Sequence, residues 1–150
     1  MVTKYYLAGP MSGIPQYNFP LFHEVARLLR GQGFTIVSPA EQDSPAVQKA
    51  AMASKDGKLV GKDNRVEGTK ETWGDILSKD VKLVADGVDG IILLPGWQSS
   101  RGACLEVTVG LLVDKRPFRF FRWDTDDSEA VPMSKLTITL QVHDALVNRL

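Results

Sequence analysis

The chain has 150 residues, 43% of them apolar and 24% charged, and its eighteen Lys and Arg balance eighteen Asp and Glu. That length suits one domain able to bury a core without disulfide or metal staples, and the balanced charge excludes a global field for nucleic acid or anionic lipid. A single cysteine, Cys104, excludes an internal disulfide and a cysteine-rich zinc site, and no stretch approaches the ~20 apolar residues of a membrane span. The opening Met-Val-Thr-Lys-Tyr-Tyr has no apolar signal core, so the expectation is a soluble cytoplasmic domain spanning residues 1–150.

A short apolar run from Tyr5 to Ala8 predicts a buried strand, stopped by Gly9-Pro10 and followed by a turn-rich loop to Asn18. From Pro20 the pattern turns helical, with Leu21, Val25, Leu28 and Leu29 on one face and Gly31 and Gly33 ending it. Phe34 to Val37 predicts a second strand. Pro45 to Ala53 suits a helical turn or two, but Gly57, Gly61 and Gly68 break regularity, and about 44–72 is expected to be a flexible insertion, a mobile flap. Gly57, Gly61 and Lys62 do not make a nucleoside-triphosphate loop: three residues separate the glycines, Asp63 stands where Ser or Thr is needed, and no strong strand precedes them.

Regular structure resumes with a helix from about Thr72 to Asp86 and a strong strand over Gly90 to Leu94, closed by Pro95-Gly96. A helix from Arg101 to about Val113, a strand over Phe118 to Phe121 and a closing helix between Ser134 and Leu150 complete the chain, with an exposed acidic turn expected over Asp124 to Glu129. Strands alternating with helices at this spacing imply an α/β fold whose parallel sheet carries helices on its faces, with ligands at the strands' carboxyl ends near the switch point.

Two acids lie where a helix should be apolar. Trp73, Ile76, Leu77, Val81 and Val84 form one stripe, and Asp80 falls in its middle, while Asp75, Lys79, Lys82 and Asp86 take the opposite face. The next helix is apolar nearly all round, which suits a central core helix or one pressed against another subunit; Glu106 is its only ionisable side chain apart from the thiol. An unpartnered buried carboxylate costs several kcal/mol. Either Glu106 pairs with an arginine or backbone amides and Asp80 with a loop backbone, or the two converge on a cleft. In a cleft, one would attack an acetal-like carbon and the other would handle the leaving group's proton. Glu106 is the better nucleophile, since Arg101 and the adjacent helix N-terminus would favour its charged form; Asp80 would manage protons or position a sugar.

Ser100, Arg101 and Gly102 open that helix and make a plausible anion site, although Ser100 can equally be an N-cap. The Gly9-Pro10-Met11-Ser12-Gly13 loop offers backbone donors beside the same cleft. Tyr6 is either core or a hydrogen-bond partner of the catalytic acid, and Trp97, Phe19 and Tyr17 either stack on a nucleobase or pack against the sheet. His23 and His143 have no second metal ligand at useful spacing, Cys104 reads as a buried thiol, and Lys115, Arg116, Arg119 and Arg122 read as a solvated basic cluster. Neither a metal nor a cofactor is called for.

Taken together, Tyr6-Leu-Ala-Gly9-Pro-Met-Ser-Gly13, Asn18-Phe19, Asp80, Leu94-Pro-Gly-Trp97 and Ser100-Arg-Gly-Ala-Cys-Leu-Glu106 resemble the nucleoside 2-deoxyribosyltransferase-like superfamily, within it a branch of small proteins frequent in phages and bacteria. The likeness covers most of residues 4–113. It implies a flavodoxin-like or Rossmann-like fold, a homodimer or higher homo-oligomer, and cleavage of the N-glycosidic bond of 2'-deoxynucleosides or nucleotides through a glutamate nucleophile. By that resemblance Glu106, Asp80 and Tyr6 are the catalytic residues. Gly9, Met11, Ser12, Gly13, Asn18, Phe19, Trp97, Ser100, Arg101 and Gly102 would bind the substrate. Ser100 stands six residues before the nucleophile, where the related 2'-deoxynucleoside 5'-monophosphate N-hydrolases carry a phosphate-binding serine and the transferases an aspartate. Pro10 and Ser12 depart from the serine and arginine usual in the hydrolases' first loop, and the 44–72 insertion has no counterpart there. The expected function is hydrolysis of deoxynucleoside monophosphates; base exchange between deoxynucleosides and a non-catalytic nucleotide-binding module are its rivals. The partner is a small deoxynucleotide or deoxynucleoside, with no nucleic acid polymer and no membrane.

Overall fold

The computed structural model describes residues 2–115, 117–123 and 127–149. Among these, five strands form one sheet in the order β2-β1-β3-β4-β5. They are β1 (Lys4–Ala8), β2 (Thr35–Val37), β3 (Gly90–Leu93), β4 (Phe118–Trp123) and β5 (Ser128–Met133), and the helices are α1 (Phe19–Gly31), α2 (Pro39–Gln42), α3 (Pro45–Ala53), α4 (Trp73–Lys82), α5 (Arg101–Leu112) and α6 (Lys135–Val147). The first four strands run parallel and β5 is antiparallel to β4. The expected α/β sheet with helices on both faces is therefore present, and its flavodoxin-like order places the switch point between β1 and β3.

Period-two alternation in the buried strands assigns each face. Tyr5 and Leu7 of β1 pack with Ile92 and Leu94 under α1, whose Phe22, Val25 and Leu29 are fully buried. Tyr6 and Ala8 point to the other face, with Ile91, Leu93 and the residues of α5 and α6. Helix α5 lies close on the sheet because Gly110 has no side chain: a Cβ there would sit 2.5 Å from Ile91 Cδ1. This close approach brings Glu106, one turn earlier, down toward Tyr6.

Two elements differ from the sequence-based expectation. β5 pairs over its full length with β4, from Phe118 opposite Met133 to Trp123 opposite Ser128. Pro132 and Glu129 hid it, since both suit an edge strand and not a central one. Asp124 to Asp126 of the expected acidic turn lie outside the described residues, whereas Ser128 and Glu129 belong to β5. The second difference is the region expected as a flap. Pro45–Ala53 forms the expected helix, and the rest folds back on itself through bridges pairing Val60 with Val66 and Arg65 with Thr72. Val47 and Val66 bury a small cluster of their own against Ile76 of α4.

The basic cluster is not uniformly solvated. Arg119 is part-buried, donating to the Tyr5 hydroxyl at 3.0 Å and to the Ala130 carbonyl at 2.9 Å, over the Tyr5 and Phe34 rings. Arg122 pairs with Glu129 across the β4–β5 ladder, and Arg116 lies outside the described residues. Among the described residues no helix is long and apolar enough to cross a membrane.

Candidate functional site

A cavity of about 550 Å³ opens at the carboxyl ends of β1, β2 and β3. Its walls come from the loop after β1 (Gly9, Met11, Ser12), the stretch after β2 (Pro39, Asp43), one face of α4 and the start of α5. The remaining wall is the 45–66 region, through Val47, Ala51, Leu59, Val60, Asn64 and Val66.

Asp80 reaches this space because α4 presents Trp73, Ile76, Leu77 and Asp80 on one side. Thr72 fixes the start of that helix with a capping box: its hydroxyl accepts from the Asp75 amide while the Asp75 carboxylate accepts from the Thr72 amide. The expected apolar stripe is thus real, and its one acid faces the void. Oδ1 of Asp80 is buried without a hydrogen-bond partner among the described residues. Burial, with the Asp43 charge adding to it, pushes the Asp80 carboxyl from 3.8 up to about 7; Lys79 and the Tyr6 hydroxyl oppose the shift.

Glu106 is 6% exposed and also lines the cavity. The Tyr6 hydroxyl donates to Glu106 Oε2. Tyr6 itself is fully buried at the end of β1, so both sequence readings of it hold: it is core, and it grips the acid. Desolvation, then the nearby Asp80 charge, pushes the Glu106 carboxyl well above the usual range, with the Tyr6 hydrogen bond opposing. The same burial and charges push the Tyr6 phenol up, so it stays protonated and donating.

The expectation that Arg101 and the helix N-terminus hold Glu106 ionised fails. Arg101 is exposed, and among the described residues no cation or backbone amide bonds the Glu106 carboxyl. Glu106 is the sixth residue of α5, in its second turn, where the field of the helix end has largely faded. The Glu106 carboxyl is steadied by a phenol, and it shares the cavity with a second carboxyl. The two titrate together.

Arg101 and Gly102 line the cavity at the start of α5, together with Ser99 and Ser100. The Ser100 Oγ accepts from the Ala103 amide at 3.2 Å, so it is the N-cap. That bond uses one of its two lone pairs and leaves its proton free for an anion. The Arg101 and Gly102 amides, at the start of α5, have no intrahelical acceptor, and both residues line the cavity.

Of the other expected binding residues, Gly9, Met11, Ser12, Phe19 and Tyr17 line the cavity, while Gly13, Asn18 and Trp97 do not. Gly13 donates its amide to the Gly57 carbonyl at 3.0 Å, and the Asn18 side chain donates to the Pro10 carbonyl at 2.9 Å. Both shape the loop without facing a ligand. Trp97 is fully buried among Ala103, Cys104 and Ile138, because the left-handed turn at Gly96 drops its indole behind the strand end. It packs the core and does not stack on a base. The Tyr17 hydroxyl accepts from the Leu59 amide at 2.6 Å, tying the first loop to the covering region. Gly57 completes that tie: its φ is +69°, and a Cβ there would lie 2.2 Å from the Ile14 carbonyl oxygen.

Asp43 and Trp73 line the cavity too and are absent from the expected site. Trp73 lay on the same helical stripe as Asp80, seven residues earlier, and that spacing was the available signal. Asp43 follows β2 at the carboxyl edge, where strand-end loops gather around ligands. Burial pushes its carboxyl from 3.8 up to about 6, with Lys79 opposing and Glu71 adding. Cys104 is buried, with Sγ 3.4 Å from the Gln98 carbonyl, and His23 and His143 are exposed. Among the described residues no group of three or more His, Cys, Asp or Glu could hold a metal ion.

No curated protein matches the chain. A sequence family described as a domain of unknown function (DUF4406) matches residues 3–115, which contain every wall of this cavity, and the chain belongs to that family.

Proposed function

We propose that the protein hydrolyses the N-glycosidic bond of 2'-deoxynucleoside 5'-monophosphates. The observation that carries this reading is the pairing of Glu106, buried and held by Tyr6, with Asp80, whose buried oxygen lacks a partner, in one cavity that also opens on the Ser100-Arg101-Gly102 turn. The resemblance of Tyr6, Asp80 and the Ser100 to Glu106 stretch to the nucleoside 2-deoxyribosyltransferase-like superfamily supports it.

The pair holds one proton between two carboxyls. With the proton on Asp80, the Glu106 carboxylate attacks C1', the C1'–N bond breaks, and Asp80 gives its proton to the departing base. The Tyr6 hydroxyl donates to Glu106 and so favours the Glu106 anion. Water then attacks C1' of the ester, Asp80 takes a proton from that water, and Glu106 leaves as a carboxylate. Atoms and charge balance over the two steps: nucleotide and water give deoxyribose phosphate and free base. The developing oxocarbenium ion is met by the Glu106 carboxylate, and by Asp80 once it has given up its proton.

Ser100, Arg101 and the first amides of α5 bind the phosphate in this reading. Phe19, Tyr17, Trp73 and the apolar 45–66 wall take the base. Exposed Leu112 on α5 and exposed Leu136 and Leu140 on α6 support a homo-oligomer.

Incubation of wild type and Glu106→Gln with a panel of deoxynucleotides tests the proposal. Base release by wild type, reduced at least about 10³-fold in the variant, is expected. Equal release by both overturns the assignment of Glu106. Release that depends on an added acceptor base and ignores the 5'-phosphate would replace hydrolysis by base exchange.

A further inference from the structure

One carboxyl in the cavity has no part in the chemistry above. Asp43 follows α2 and faces the same void as Asp80 and Glu106. Its side chain makes no hydrogen bond and no ion pair among the described residues; only its backbone carbonyl is engaged, accepting from Gln48 Nε2 at 2.7 Å. The cation that acts on it, Lys79, is committed elsewhere: its ammonium lies 3.4 Å from the Gln42 carbonyl and 3.9 Å from the Glu71 carboxylate. Glu71 brings a further negative charge. A part-buried carboxylate kept without a counter-ion, beside another carboxylate, is costly unless the site uses the repulsion.

We propose that Asp43 is a positioning residue that keeps the leaving-group proton on Asp80, by presenting at the same cavity a like charge that no ion pair among the described residues neutralises. The inference rests on the hydrolytic reading and deepens it. The Asp43 charge raises the Asp80 carboxyl, and the Asp80 charge raises Glu106, with all three lining one cavity. The charged and titratable groups around Asp43 are Lys79 and Asp80 on α4, Glu71 just before it, Glu106 and Arg101 on α5, and Tyr6 on β1. Only Lys79 and Arg101 among them are cations, and Arg101 is exposed. While Asp43 is ionised, loss of a proton from Asp80 would put two unneutralised charges together. Without that charge Asp80 ionises at lower pH and arrives at the bond-breaking step with no proton to give. Asp43 exchanges nothing with the substrate.

The test compares wild type, Asp43→Asn, Asp43→Glu and Lys79→Gln by the pH dependence of kcat on a deoxynucleotide that wild type cleaves, and by ¹³C-carboxyl NMR titration of Asp80. In Asp43→Asn the alkaline limb of kcat and the Asp80 midpoint should both move to lower pH. The rate above the limb should fall about tenfold per unit moved, with KM nearly unchanged. Asp43→Glu should restore the limb. Lys79→Gln, which removes a cation acting on both Asp43 and Asp80, should move it the other way; if Asp43→Asn fails to fold, Asp43→Ser is the neutral variant that decides the matter. An unmoved limb, or an equal loss of kcat at every pH, overturns the proposal while leaving the hydrolytic reading intact. If wild type releases no base at all, that reading fails, and the NMR titration still judges Asp43: an Asp80 midpoint unmoved by Asp43→Asn refutes it.

Discussion

On one wall of the cavity stand Asp43, Asp80 and Glu106, with Tyr6 behind Glu106; among the described residues the side chains of these four share one hydrogen bond, from Tyr6 to Glu106, and an oxygen of Asp80 is buried without a partner. On the other, Val47, Ala51, Leu59, Val60 and Val66 present a nearly unbroken apolar surface whose polar backbone is satisfied internally, as where Glu67 donates to Leu59 and Val66 to Glu71. The first wall is built at a cost in stability, the second as an ordinary small core turned toward a ligand. A site that separates unsatisfied charge from satisfied packing separates chemistry from recognition. Substitutions on the ionisable wall should therefore act on kcat and those on the apolar wall on KM.

The largest effect expected after loss of Glu106 is at Asp80. Asp80→Asn removes the proton donor and should lower kcat by about 10²–10⁴-fold with little change in KM, measured by base release at pH 6–7. A comparable rise in KM with kcat intact would erase the contrast between the walls. Tyr6→Phe deletes the hydroxyl that donates to Glu106 and should lower kcat by about 10–100-fold, the worth of a hydrogen bond to a charged group. In the apolar lining, where Trp73 packs against the Val47 and Val66 cluster, Trp73→Ala should raise KM about tenfold and leave kcat within about threefold, because the ring lies beside Gly102 and offers area, not charge.

Much of the sheet and both acids were legible in the sequence. Hydrophobic period exposes β1, β3 and the stripe on α4, and a charge placed on such a stripe is visible as an exception. Three things were not. Trp97 looks like a base-stacking residue because it follows a strand end, but its direction depends on the left-handed turn at Gly96, which local pattern does not encode. Asp43 sits in a short stretch with no periodicity, so only the folded switch point brings it to Asp80. The region after α3 is glycine-rich and reads as loose. Its order comes from contacts distant in sequence, such as Gly13 to Gly57 and Tyr17 to Leu59, which no window along the chain contains.

The smallest of the expected effects bears on stability. Asp80 titrates near 7 in the folded chain, against an ordinary carboxylate value of 3.8, so the folded state binds its proton more tightly than the unfolded state does. Below about pH 4 both states hold the proton and the acid costs nothing. As pH rises from 4 to 7 the unfolded chain releases its proton while the folded chain keeps it, and stability falls; above 7 the loss is complete. Asp43 adds to the same fall between about 4 and 6. Asp80→Asn, which abolishes the titration, should therefore raise Tm at pH 8 by about 2–6 °C over wild type and give no gain at pH 4, read by thermal denaturation. A gain of the same size at both pH values would mean that the amide simply packs better. A gain confined to high pH would show that the ionisable wall is held together against its own charge, as a wall kept for chemistry has to be.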